Sequence, residues 1–295
     1  MSNAALPVTG ARSLARDFIA LTKPRIISLL LVTTIAPMFV AGRPSWELVL
    51  VVFIGGYLMA GGANAVNMYL DRDIDDRMSR TGLRPLPSGR MQPREVLAFG
   101  LLLATAATFL LARFANVLTA ALALGGFYSY VFLYTRWLKR STPQNIVIGG
   151  AAGAFPPLVG WAAVTGGVDL MAAYLFLIIF YWTPPHFWAL ALNKQRDYGR
   201  AGVPMAPLVW GETETKRQML WYTLILIALT VLPWAMGSLG AVYVGSALVL
   251  DAILLRGVVR VLRAPDFVKP AWSVYKYSLL YLALLFAAMV VDRNI

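Results

Sequence analysis

The sequence of 295 residues has no cysteine, a single histidine and few charged residues. Without cysteine it can form neither a disulfide framework nor a thiolate zinc site, and one histidine cannot build an imidazole metal site. Charged residues make up 14% of the chain, against roughly a quarter in average proteins, while hydrophobic residues make up 59%. This composition excludes an ordinary soluble domain and a disordered chain, and it indicates a polytopic membrane protein.

Long apolar runs account for most of the sequence. A spanning helix needs about 20 mostly apolar residues, and nine segments qualify. They are 26–42, 47–68, 95–113, 115–135, 144–164, 170–192, 216–237, 239–260 and 273–291. The predicted fold class is therefore all-α, with nine transmembrane helices around one central cavity. We expect a short N-terminal tail over residues 1–25 and a single transmembrane domain over residues 26–295.

The basic residues predict the orientation of these helices. The chain has 26 lysines and arginines against 14 acidic residues, a net charge of +12. On a soluble protein this charge would suggest nucleic acid, but here the basic residues lie between apolar runs, so no nucleic-acid partner is expected. With the N-terminus in the cytoplasm, 23 of the 26 basic residues fall on the cytoplasmic side. The pattern predicts a cytoplasmic N-terminus and a C-terminus outside.

The N-terminal segment bears on the location of the protein. Residues 1–25 contain no apolar stretch followed by a cleavage site, so we expect no signal peptide there. A bacterial inner membrane is the expected location, and the mitochondrial inner membrane is the less favoured alternative.

The first long polar loop, at about 69–94, carries a regular set of oxygen-bearing side chains. Asn67, Asp71 and Asp75 are spaced by four residues, so on a helix they share one face. Because like charges repel at this spacing, the column favours a bound cation. Mg²⁺ is suited, since it uses one or two carboxylates together with water and phosphate. The alternative is a solvated helix end whose acidic and basic side chains pair.

Arginines follow these carboxylates in the same loop, at Arg80, Arg84 and Arg90. Arginine binds phosphate oxygens through two parallel hydrogen bonds. Carboxylates and arginines together at a membrane surface predict a diphosphate site. For each single arginine, the alternative role is to fix membrane topology.

The second long polar loop, at about 193–215, contains a similar pattern. Asn193 and Asp197 repeat the spacing of Asn67 and Asp71. The repeat suggests two related halves that place polar clusters around one cavity, as internal repeats in membrane proteins often do.

Two ionisable residues are predicted to lie within the bilayer. His186 follows Pro184 and Pro185, and it is either functional or hydrogen-bonded to a neighbouring helix. Asp251 is the only carboxylate in the middle of a predicted helix, and we expect it to pair with an arginine such as Arg256.

These motifs together resemble the UbiA-type intramembrane prenyltransferases, most closely their protohaem IX farnesyltransferase branch. The matching stretches are LTKPR (21–25), NMYLDRDID (67–75), RTGLRPLPSGR (80–90), KRSTPQNIVIGGAAGAFPPLVGW (139–161), TPPHFWALAL (183–192) and DYGRAGVPM (197–205). The resemblance implies that farnesyl diphosphate donates its farnesyl group to a vinyl group of haem b. Water is added, haem O is formed and diphosphate is released.

The resemblance also implies a cofactor, partners and site residues. The cofactor is Mg²⁺, and haem A synthase or a terminal oxidase would receive the product. The implied metal ligands are Asn67, Asp71, Asp75, Asn193 and Asp197. The implied diphosphate ligands are Arg80, Arg84, Lys139, Arg140 and Lys194, with Lys23 and Arg25 as further candidates. His186 is implied to bind haem, either through its iron or by orienting the porphyrin.

One departure from the wider family bears on the acceptor. Many members carry a second acidic pair, whereas this chain has Asn193, Lys194 and Asp197 in that region. The departure favours haem over an aromatic acid and leaves the second-loop metal ligands open. Three alternatives remain: a prenyltransferase for a quinone precursor or other aromatic, a secondary transporter, and a haem-binding assembly factor without catalysis.

Overall fold

The computed structural model describes residues 11–79 and 81–295. Over these residues the chain is helical without strands, and nine helices are long and apolar enough to cross a membrane. We call them spans one to nine; they are Pro24–Ala41, Trp46–Leu70, Pro93–Phe114, Val117–Ser141, Asn145–Thr165, Leu170–Asn193, Glu212–Ala235, Ala241–Arg263 and Val268–Asn294. The predicted fold class and number of spans are confirmed.

The helices extend beyond the predicted segments mainly at the end of the bundle that carries the two polar loops, here called the loop end. The fourth helix was predicted to stop at residue 135 and continues to Ser141, so Lys139 and Arg140 lie on its last turn. The ninth begins at Val268 rather than at residue 273. Charged residues lower the hydropathy of a segment without ending its helix, which explains both differences.

Packing between the spans forms a closed ring. Consecutive spans contact one another, and span nine packs back against span one. Span one also contacts span five, and span six contacts span nine, so these four helices occupy the centre. One apolar core fills the space among spans one to five and a second fills the space among spans five to nine. Both polar loops lie at the loop end of this ring.

Shorter helices surround the spans at the loop end. Ala11–Thr22 precedes span one within the expected tail, and its Leu21 packs with Ala65 and Met68 of span two. The first polar loop contains Arg72–Asp75. The second polar loop contains Gln195–Arg200 and Ala206–Val209.

The hydrogen bonds of Asp251 differ from those expected from the sequence, which predicted an arginine partner. Its carboxylate does not pair with Arg256 or any other basic side chain in the part of the chain described. Instead it accepts hydrogen bonds from the Tyr281 hydroxyl at 2.7 Å and the Thr230 hydroxyl at 2.8 Å. Buried polar groups need hydrogen-bond partners, and these two donors supply them for the carboxylate. The same hydrogen bonds join spans seven, eight and nine.

Glycine permits the closest contact between the two central spans. A Cβ atom added to Gly160 in span five would lie 1.8 Å from the Thr34 carbonyl oxygen in span one. Backbone atoms cannot move aside as a flexible side chain can. Gly160 therefore sets the distance between spans one and five.

We predict that Gly160→Ala destabilises the protein by about 1–3 kcal/mol, because overpacking at a backbone contact forces the two helices apart. The matched control is Gly153→Ala on the same helix, where an added methyl group meets nothing within 4 Å. Alanine favours helix over glycine, so the control should be neutral or slightly stabilising. Thermal unfolding in detergent compares the two, and equal melting temperatures would contradict the packing account.

Candidate active site

A column of three polar side chains lies at the loop end of span two. Asn67, Asp71 and Asp75 are each less than 5% exposed. The span ends at Leu70, yet the backbone hydrogen bonds continue at helical spacing, from Asp71 to Asn67 at 2.9 Å and from Asp75 to Asp71 at 2.8 Å. The column predicted from the spacing is therefore present, and the Asn67 amide donates to Asp71 at 2.8 Å.

Basic side chains from three parts of the chain surround this column. Lys139 Nζ lies 2.5 Å from Asp71 Oδ2, and Arg84 Nη1 lies 2.6 Å from Asp75 Oδ2. Lys23 Nζ donates to Asn67 Oδ1 at 2.9 Å. The positive charges of Lys139 and Arg84 offset the repulsion between the buried carboxylates.

Arg140 forms the outer edge of the cluster. Its guanidinium binds both oxygens of Asp73 at 2.7 Å and the Leu70 carbonyl at 2.9 Å. Hydrogen bonds from Arg140 lower the pKa of the Asp73 carboxyl to about 2. The Asp73 side chain is 53% exposed, so this pair contributes little to stability in water.

One oxygen in the column has no hydrogen-bond partner. Asp71 Oδ1 is fully buried and accepts no hydrogen bond, and Arg140 Nη2 lies 3.8 Å from it. A buried carboxylate oxygen without a donor is costly, and a metal ion would satisfy it. No three carboxylate or histidine side chains in the described ranges converge on one point. Mg²⁺ uses one or two carboxylates together with water and phosphate oxygens, and the buried Asp71 carboxylate can supply one of them.

The fourth span contributes through an unusual helical segment. Residues Ser129–Leu138 form a π-helix, a rare geometry that occurs frequently at functional sites. Its Thr135 hydroxyl accepts a hydrogen bond from Asn67 at 3.0 Å. Thr135 and Lys139 thus both contact the column. The sequence pattern did not predict Thr135, because a lone threonine in an apolar helix has no distinctive spacing.

The second polar loop contacts the first through Asp197. The Ser79 hydroxyl of the first loop donates to Asp197 Oδ1 at 2.9 Å, and Arg200 pairs with the same oxygen at 2.9 Å. An apolar cluster beneath them includes Ile74 and Met78 from the first loop and Tyr198 from the second. The two loops thus contact each other at the loop end, and nothing in the sequence pointed to Ser79.

The two Asn–Asp motifs differ in geometry. Span six ends at Asn193, and Lys194 leaves helical geometry, so Asn193 and Asp197 do not lie on one continuous helix. Asn193 donates to the Ala189 carbonyl rather than to Asp197.

Asn145 at the start of span five is fully buried. Its amide donates to the Pro204 carbonyl of the second loop at 3.4 Å, and its Oδ1 has no hydrogen-bond partner.

The remaining predicted residues are less closely associated with the column. Arg25 is exposed, and its side chain makes no contact with the column. Lys194 is half-buried beside the second loop. Arg80 lies outside the described residues.

His186 lies in span six, which continues as one helix through Pro184 and Pro185. The side chain is buried, and Nδ1 lies 2.7 Å from the Ser278 hydroxyl of span nine. The hydrogen bond to a neighbouring helix, which was the alternative to a functional role, is therefore present. The ring stacks between Trp182, at 4.4 Å, and Tyr275, at 4.8 Å.

Comparison with known proteins places this arrangement in a family. The model of the UbiA prenyltransferase family matches residues 29–287. The chain belongs to the UbiA prenyltransferase family. Within the family it is 55% identical over 288 residues to a protein of Roseiflexus castenholzii named protoheme IX farnesyltransferase, and 52% identical over 281 residues to one of Symbiobacterium thermophilum with the same name.

The coverage of these relatives differs. The chain spans 54% of the Roseiflexus protein, about half the length of several curated relatives that it matches, but 94% of the Symbiobacterium protein.

Solved UbiA-fold structures are similar at low identity. A digeranylgeranylglyceryl phosphate synthase has a TM-score of 0.77 at 20% identity, with 95% of this chain and 98% of that chain covered. A UbiA homologue of Archaeoglobus fulgidus bound to DMAPP and Mg²⁺ has a TM-score of 0.69 at 16% identity, with coverages of 93% and 99%. These likenesses establish the fold.

Lys23 combines a basic side chain with a strained backbone. It has φ 56° and ψ 61°, and it is the one non-glycine residue with positive φ among the residues described. Left-handed geometry costs a non-glycine residue about 1–2 kcal/mol. Burial, reinforced by Arg84, lowers the pKa of its ammonium group to about 7. Strain and burial at one side chain indicate a functional position.

We predict that Lys23→Gly is more stable than Lys23→Ala by about 1 kcal/mol, because glycine adopts positive φ without strain. Both variants lose the ammonium group and should bind inorganic diphosphate with Mg²⁺ more weakly than the unmodified protein. Thermal unfolding and calorimetric titration measure the two effects. Unchanged diphosphate affinity in both variants would show that Lys23 does not bind diphosphate.

Proposed function

We propose that this chain transfers the farnesyl group of farnesyl diphosphate to a vinyl group of haem b, with addition of water, to form haem O. The observation that carries the proposal is the buried column at Asp71, which has an unsatisfied carboxylate oxygen and the basic side chains of Lys139, Arg84 and Lys23 beside it. Haem b as the acceptor is supported by the name of the Symbiobacterium relative, which this chain matches over 94% of both lengths.

We assign the metal and diphosphate sites to the two loops. Asn67, Asp71 and Asp75 would hold Mg²⁺ from one side, and Asp197, with Asn193, from the other. When bound, the metal would neutralise charge on the diphosphate leaving group. Binding of Mg²⁺ together with a prenyl diphosphate by the Archaeoglobus fulgidus homologue supports this assignment.

The basic residues would bind the diphosphate oxygens. Lys139 and Arg84 already reach the column, and Arg140 lies at its edge. Fixed positive charges stabilise the negative charge that develops as the carbon–oxygen bond breaks, and they do so without reorganising. The proposed set is completed by Lys23, Arg25, Arg80 and Lys194.

The reaction itself needs a site that holds back water. Heterolysis leaves the bonding electron pair on diphosphate and an allylic cation on farnesyl. The haem vinyl group attacks this cation and forms the new carbon–carbon bond. Water adds to the resulting cation beside the porphyrin and loses a proton, which gives the hydroxyl group. Aromatic faces stabilise such cations, and exclusion of bulk water protects the first one from quenching.

We further propose that His186 binds haem, and that residues 26–295 act as a single catalytic domain. The positive-inside pattern supports a cytoplasmic N-terminus, an outward C-terminus and metal-binding loops on the cytoplasmic side. A bacterial inner membrane is the proposed location. Haem A synthase or a terminal oxidase would take up the product.

The direct test supplies haem b, farnesyl diphosphate and Mg²⁺ to the purified protein in nanodiscs. Mass spectrometry of the extracted haems should show a product heavier by one farnesyl and one hydroxyl group. Asp71→Asn should lower the rate at least about a hundredfold, as loss of one preorganised charge does elsewhere, and EDTA should abolish product. The matched control is Asp76→Asn, since Asp76 is exposed in the same loop.

Several outcomes would count against the proposal. Product formation that is insensitive to Asp71→Asn, in protein with an unchanged melting temperature, would remove the column from catalysis. A parallel reaction with 4-hydroxybenzoate tests the acceptor. If that compound were prenylated and haem b were not, the proposed substrate would be wrong.

A further inference from the structure

Ser278 determines which nitrogen of His186 carries the proton. The Ser278 hydroxyl lies 2.8 Å from the Tyr275 carbonyl oxygen and 2.7 Å from His186 Nδ1. A hydroxyl has one proton, and a carbonyl oxygen can only accept. When the Ser278 proton is donated to the Tyr275 carbonyl, His186 Nδ1 carries its own proton and donates it to Ser278. This assignment leaves a lone pair on Nε2.

Three aromatic rings and Ser278 pack around the imidazole, and the Phe187 ring lies edge-on to it at 5.3 Å. Trp182 and Tyr275 cover its two faces at interplanar angles of 15° and 27°. Ser278 occupies the Nδ1 side. Nε2 has no hydrogen-bond partner among the described residues and, unlike the orphaned Asp71 oxygen, is not completely enclosed. A lone pair held at fixed orientation and left without a donor is typical of a metal-binding histidine.

Ser278 also orients the ring that stacks on His186. The Trp182 indole Nε1 donates to the Ser278 backbone carbonyl at 2.9 Å. One residue of span nine thus fixes both the histidine and its stacking partner in span six. His186 lies seven residues before Asn193, the end of span six, which is about 10 Å along the helix axis.

We propose that Ser278 is a positioning residue that holds His186 as the Nδ1-protonated tautomer and so presents Nε2 to the iron of the porphyrin substrate. This inference rests on the proposed haem acceptor. Ser278 does not touch the substrate in this account. It acts through His186, in the way that a carbonyl or carboxylate behind a metal-bound histidine fixes ring orientation.

The test is spectroscopic and uses the whole protein in nanodiscs with haem b. The ferrous complex should show an iron–histidine stretch in resonance Raman spectra, and His186→Ala should lose it. Ser278→Ala should shift or broaden that band and weaken haem binding roughly tenfold, as loss of a partner behind a metal ligand typically does. Ser278→Thr keeps the hydroxyl and should restore the band.

Two controls separate this role from a structural one. Ser278→Ala retains the backbone carbonyl that Trp182 binds, so the contact between the two spans remains. Ser273→Ala removes a hydroxyl from an exposed position on the same helix, where it bonds only to Lys269. Its spectrum and affinity should equal those of the unmodified protein.

The outcomes distinguish this inference from the proposed function. If His186→Ala loses the band and Ser278→Ala leaves it unchanged, the positioning role is overturned. If unmodified protein transfers farnesyl but shows no iron–histidine band, the ligand role is overturned and the proposed function stands. If the band behaves as expected but no farnesyl is transferred, the inference stands and the proposed function fails.

Discussion

The arrangement of the loop end depends on one buried carboxylate, Asp71. It is 1% exposed and is held by Lys139 from span four and Asn67 from its own helix. Removing one partner of a buried ion pair typically costs about 3–5 kcal/mol, because the other charge remains desolvated. Asp71 therefore fixes span four against span two, and the oxygen it leaves unsatisfied is the feature that suits a metal ion.

The packing of the spans determines where the acidic column and His186 lie relative to each other. Spans two and four hold the acidic column, whereas spans six and nine hold His186. Span one contacts spans five and nine, span six contacts the same two, and Gly160 allows the close approach of spans one and five. The two sites thus lie in opposite halves of the ring. In the proposed reaction the diphosphate is held by one half and the porphyrin by the other.

The sequence predicts the features that depend on regular spacing. Apolar runs predict the nine spans, and a four-residue repeat predicts that Asn67, Asp71 and Asp75 share a face. Features that depend on contacts between distant segments were not predictable. Ser79 meets Asp197 across 118 residues, and Ser278 meets His186 across 92. Asp251 was expected to bind an arginine, but hydroxyl groups from neighbouring spans satisfy it. Spacing does not reveal which uncharged donors a helix will meet.

The central claim is that the Asp71 column binds a divalent cation that also contacts the diphosphate. Mn²⁺ is a paramagnetic substitute for Mg²⁺, and pulsed electron–nuclear double resonance detects phosphorus nuclei bound through oxygen to it. With a non-hydrolysable farnesyl diphosphate analogue, the account predicts a strong ³¹P coupling that is lost in Asp71→Asn and retained in Asp76→Asn. A ³¹P coupling that is equal in the unmodified protein and in folded Asp71→Asn would contradict the account.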